Sequence, residues 1–179
     1  MDKPAIVSLV EDCKDLLRNL GDSCFQRETF NLTWQDIKYR YQSRVMVLGD
    51  SDLINTTIAF RFAELVRLER DQYSIFWVEA SSIQSIQSSY AQILASLHIT
   101  VLDDPEQIWQ ALAFMLHIVY PHRWLMIFAN LQQSALVDLV TRGWLPGSLS
   151  GHLLFVTTQS PCQSLLGRTR VVPLPQLTM

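Results

Sequence analysis

The segment of this chain richest in groups that could do chemistry is Gly49-Asp-Ser-Asp-Leu-Ile-Asn-Thr-Thr57. It follows an apolar run, Arg44-Val-Met-Val-Leu48, and leads straight into a helical pattern. Its hydroxyls could attack a carbonyl, hold a metal or meet a phosphate. A nucleophilic serine, however, needs a base within hydrogen-bond reach and a third group to orient that base. Elsewhere the inventory is thin. Gly147-Ser-Leu-Ser-Gly151 is not a nucleophile elbow, because its central residue is Leu149. His117 and His122 are five apart with Pro121 between them, so they share no helix face for a metal. Cys13, Cys24 and Cys162 are odd in number and lack a CxxC spacing, which reads as a reduced chain with neither disulfides nor zinc. Lys3, Lys14 and Lys38 are the only lysines, and past Glu106 the only acid is Asp138. Chemistry that needs a mid-chain lysine or a late carboxylate is excluded.

The elements that must position these groups are legible from periodicity. A chain of 179 residues with 49% hydrophobic and 17% charged residues has material for one core and too little charge for disorder. Residues 5–20 carry a helical pattern ended by Gly21, and 33–41 could form a short helix capped by Thr33. From residue 45 apolar runs alternate with helical patterns. Strands are predicted at 44–48, 74–78, 124–128, 152–157 and 170–173. Helices are predicted at 55–70, 82–97, about 103–120 and 134–141. Continuous apolar strands separated by helices predict a parallel sheet covered on both faces, hence a three-layer α/β domain. In such folds ligands sit beyond the carboxyl ends of the strands, which puts the Gly49–Thr57 segment at the expected site.

Taken in order, these segments resemble the NB-ARC class of P-loop NTPases, the STAND signalling ATPases. The resemblance rests on the strand-loop-helix at 45–66, Tyr73-Ser-Ile-Phe-Trp-Val-Glu-Ala-Ser81, Trp124-Leu-Met-Ile-Phe-Ala-Asn130 and Trp144-Leu-Pro-Gly147. It continues through His152-Leu-Leu-Phe-Val-Thr-Thr158 and Val171-Val-Pro-Leu-Pro-Gln-Leu-Thr178. It implies a three-layer P-loop NTPase fold with a five-stranded, mostly parallel sheet at 45–179, preceded by a helical extension or linker at 1–44.

The resemblance also implies where the chemistry should be. The family's phosphate loop, Gly-x-x-x-x-Gly-Lys-Thr/Ser, lays Gly49 on the first glycine, Ile54 on the second, Asn55 on the lysine and Thr56 on the magnesium-binding hydroxyl. Ile54 resists the positive φ open to glycine, and Asn55 offers a hydrogen bond without a charge. Asp50 and Asp52 add anions: a charge pair at ~4 Å is worth about 1 kcal/mol in water and ~4 at an intermediate dielectric. A helix N-terminus returns only ~0.3–1 kcal/mol. On the third strand Ala129 stands where the family's metal-binding aspartate belongs, followed by Gln132 and Gln133 where further acids are common. On the fourth, Thr157-Thr158-Gln159 puts Gln159 at the position of the phosphate-sensing arginine. The expectation is a fold kept without its chemistry. Gly49, Asn55 and Thr56 form a vestigial nucleotide site with no bound metal and at most weak ADP or ATP. Without that vestigial role, Gly49 reads as a strand-ending turn and Thr56 as a helix cap.

The same residues allow two other readings. Gly49-Asp-Ser-Asp52 looks like the first block of GDSL-type hydrolases, whose triad is completed by an Asp-x-x-His segment. Here Ala95, Phe114, Val119 and Leu149 stand three residues before the four histidines. The chain could instead be an active ADP/ATP-binding switch fragment, although it ends after the fifth strand, short of the helical and winged-helix parts that follow in the family. The net charge of −3 argues against nucleic acid, and no apolar run approaches the ~20 residues of a membrane span. An N-terminus without a secretory leader points to the cytoplasm. The overall expectation is a non-enzymatic pseudo-NTPase domain with a protein partner.

Overall fold

The computed structural model describes residues 44–69, 73–119, 123–147, 151–160 and 169–174. The expected helical extension at 1–44 lies outside the described residues except for Arg44, which opens the first strand. In chain order the elements are β1 (Arg44–Leu48), α1 (Asp52–Glu69), β2 (Ser74–Glu79), α2 (Ile83–Ser96) and α3 (Pro105–Phe114). A π-helical turn (Met115–Val119) follows, then β3 (Trp124–Ala129), α4 (Gln133–Arg142), β4 (Gly151–Thr157) and β5 (Arg170–Pro173).

The sheet order is β2-β3-β4-β1-β5, and every pairing is parallel. Four strands of five to seven residues make its body; the four-residue β5 adds at the edge beside β1. Alternate residues feed two cores, as the pleat requires. Val45, Val47, Leu125, Ile127, Leu154 and Val156 face α1 through Ala59, Phe62, Ala63 and Val66. Met46, Met126, Phe128, Leu153 and Phe155 face the other way, against apolar side chains of α2, α3 and α4. Helices therefore cover both faces, which is why β3 and β4 are buried at every position and carry apolar residues almost throughout.

Local chemistry sets the helix ends. Ser82 caps α2, accepting from Ser85 N at 3.1 Å. Asp104 caps α3, accepting from Glu106 N, with Pro105 in the first turn where its missing N–H is no loss. Gly143 ends α4 at φ 68°, the left-handed C-cap conformation, and lets Trp144 N reach Leu139 O. Trp144 then packs inward: its carbonyl accepts from buried Tyr90 Oη at 3.0 Å and its indole N–H donates to Glu106 at 3.1 Å. Two helix boundaries differ from the sequence reading. The helix expected at 103–120 leaves α-geometry at Met115, where hydrogen bonding lengthens into the π-turn. The helix expected from residue 55 begins at Asp52, and that difference reshapes the site.

Candidate functional site

The carboxyl ends of the strands meet Gly49, the first turns of α1 and α4, and the residues just after β3 and β4. Between β1 and α1 lie only Gly49, Asp50 and Ser51. Asn55 N donates to Ser51 O at 2.9 Å, and Ile54 N reaches Ser51 Oγ at 3.5 Å. Helical bonding thus starts at once after a short turn, three residues before the helix start expected at 55, so most of the Gly49–Thr57 segment is helix. Asp52 in the first turn suits the helix dipole, which favours the early start.

Gly49 ends β1 as a strand-terminating turn, its N–H donating to Thr157 O at 3.2 Å. Asn55 points inward and is 1% exposed. Its Nδ2 donates to Gly49 O at 3.2 Å and to Thr157 O at 3.1 Å, joining the ends of β1 and β4. Thr56 is not a helix cap: it lies inside α1, and its hydroxyl donates to Asn130 Oδ1 at 3.2 Å. Ser51, not Thr56, supplies the oxygen at the helix start. Asp50 and Asp52 are exposed.

Ala129 is fully buried at the end of β3, and its carbonyl accepts from Ala80 N at 2.8 Å. The next residue, Asn130, adopts φ 53°, a left-handed conformation that asparagine tolerates better than most residues. There its Nδ2 donates to both carboxylate oxygens of Glu79, at 3.2 and 3.3 Å. Thr56, Asn130 and Glu79 form a chain from α1 across the end of β3 to the end of β2. Sequence reasoning assigned no role to Asn130 or Glu79. The available signals were a carboxylate ending an apolar strand and an asparagine ending another, both at the ligand-bearing edge of a parallel sheet.

Gln159 is exposed and turned toward α4. Its Oε1 accepts from Gln133 N at 2.8 Å and its Nε2 donates to Gln132 Oε1 at 2.9 Å. It therefore serves as the cap of α4 that Gln132 does not provide with its own side chain. Thr157 Oγ1 ties the same corner to Leu131 O at 2.7 Å.

The hydrolase reading places its nucleophile at Ser51. His152 lies at the far end of β4, about 17 Å along the strand from Thr157 at ~3.3 Å per residue. Its Nε2 shares a hydrogen bond with Tyr73 Oη at 3.3 Å. His117 is exposed, and His122 lies outside the described residues. Among the described residues no three His, Cys, Asp or Glu side chains gather as a metal-binding group, and no helix is long and apolar enough to cross a membrane.

No protein-family model matches this sequence, and no curated protein matches it. Solved structures do. The chain is similar to a structure of Drosophila ORC bound to AT-rich DNA and Cdc6, with a TM-score of 0.54 and 11% identity over 97% of this chain and 32% of that one. It is also similar to Drosophila ORC bound to poly(dA/dT) DNA and Cdc6 (conformation 1), with a TM-score of 0.53 and 11% identity over 94% of this chain and 31% of that one. The chain spans about a third of the length of these two chains. At that identity the likeness shows the fold, which is P-loop NTPase-like.

Proposed function

We propose that this chain is a non-catalytic domain of nucleotide-binding fold, a pseudo-NTPase of NB-ARC type that acts as an interaction module. One observation carries the reading. The polar side chains at the site's key positions are neutral, and they are bonded to one another or to main chain rather than presented to a ligand. Asn55 binds two strand-end carbonyls, Thr56 binds Asn130, and Gln159 caps α4. A phosphate cradle needs converging backbone N–H groups and a cation. Here the turn is short, Asn55 holds the lysine position, and Asp50 repels. A nucleotide-bound magnesium takes carboxylates, hydroxyls and water in octahedral geometry. Ala129 supplies no side-chain ligand, and the nearby carboxylate of Glu79 is held by Asn130. These residues do not fit magnesium with a triphosphate, so no hydrolytic step is assigned to them. With a net charge of −3, a protein is the partner class that suits the surface, and DNA is not.

Calorimetry on the purified chain with magnesium–ATP and magnesium–ADP tests the proposal. The expected result is no saturable heat at micromolar nucleotide. Micromolar binding, or turnover lost in Thr56→Ala, overturns it in favour of an active switch fragment.

A further inference from the structure

We infer that the Asn55 side chain holds the carboxyl ends of β1 and β4 together, a task that in this domain needs no nucleotide. The inference rests on the pseudo-NTPase reading, in which the strand ends must be joined by the chain's own groups.

Both hydrogens of the Asn55 amide are used, one on Gly49 O and one on Thr157 O, while Gly49 N also donates to Thr157 O. These bonds fix which way the amide points. Turned over, it would set Oδ1 against two carbonyl oxygens, each an acceptor only. Oδ1 is buried without a partner and lies over Gly49. A methyl group added at Gly49 would overlap that oxygen and come within 2.8 Å of Leu174 Cδ1. The absent side chain at Gly49 therefore makes room for Asn55, a role distinct from admitting a phosphate. On the outer side Leu174 N donates to Leu48 O at 2.7 Å, so β5 closes the same corner.

Asparagine is the residue this contact demands. Aspartate has the same shape but no donor when ionised, and it would bring a negative charge against two carbonyl oxygens. Lysine would carry a charge into a space that is 1% exposed.

Amide hydrogen exchange tests this on the intact chain. Without nucleotide, the Gly49 amide should exchange within about tenfold of the Val47 amide inside β1, because both would open only with the sheet. In Asn55→Asp at neutral pH, Gly49 exchange should accelerate by at least about tenfold relative to Met126 in β3. An unprotected Gly49 amide in the native chain, or unchanged protection in Asn55→Asp, overturns the inference. The native-chain measurement stands even if the variant fails to fold. An unprotected Gly49 with no nucleotide binding by calorimetry removes only this inference, whereas micromolar nucleotide binding removes the reading beneath it.

Discussion

His152 makes the stability of this domain acid-sensitive, and the size of the effect follows from its surroundings. The ring is 4% exposed in β4, stacks on Tyr73 with centroids 5.9 Å apart, and shares a hydrogen bond with the Tyr73 hydroxyl at 3.3 Å. Burial first, and then the nearby Arg123 charge, lower its pKa from 6.5 to about 4. The unfolded chain therefore takes up a proton near pH 6.5, while the folded chain resists until about pH 4. Acid favours the state that binds more protons, so this contribution is intact above pH 6.5 and is lost as pH falls toward 4. At 1.36 kcal/mol per pH unit, the loss relative to pH 8 comes to about 2 kcal/mol at pH 5 and about 3 kcal/mol at pH 4. Urea unfolding of the native chain and of His152→Gln at pH 8 and pH 5 measures it. Carboxylates titrate in both proteins, so the difference between them isolates His152. The native chain's advantage should shrink by about 2 kcal/mol between the two pH values. A constant advantage, or an NMR titration of His152 with its midpoint near 6.5, refutes the reasoning.

Two further substitutions probe packing and capping. Gly151 pairs with Trp124 across β3 and β4, and a methyl group added there would fall within the buried indole. Gly151→Ala should cost about 3 kcal/mol in chemical denaturation, with a shift in tryptophan emission, and a cost near zero would mean that the ring has room to move. Gln159→Ala removes the acceptor for Gln133 N and should cost about 0.5–1 kcal/mol, the low end for a helix cap because the site is exposed. Faster exchange of the Gln133 amide should accompany that loss, and an unchanged rate would assign the cap elsewhere.

The architecture was largely legible because burial on both faces forces strands to be apolar throughout. Leu125, Met126, Ile127 and Phe128 alternate between the two cores, yet all must be apolar. Caps written in adjacent residues, such as Asp104 before Pro105, were equally readable. The start of α1 was not. Ser51 and Asp52 are ordinary cap and first-turn residues, but matching this segment to a phosphate loop held them outside the helix, which begins at Asp52 with its turn anchored on Ser51. The expected cap at Thr56 failed for the same reason. Once α1 starts early, Thr56 lies within the helix and its hydroxyl turns to Asn130.

At the site, the amino-acid sequence by itself determined the charge: an asparagine, an alanine and a glutamine stand at positions 55, 129 and 159, and no folding can place a formal charge on those side chains. Only the tertiary structure decided where the neutral polar groups of the site point. Asn55 meets Thr157 from 102 residues away, Asn130 meets Glu79 from 51, and Gln159 meets Gln133 from 26. A charge belongs to a side chain wherever it lies, but a hydrogen bond exists only within about 3 Å and at a favourable angle. Its partner is therefore chosen by the packing of the sheet, which no local pattern encodes.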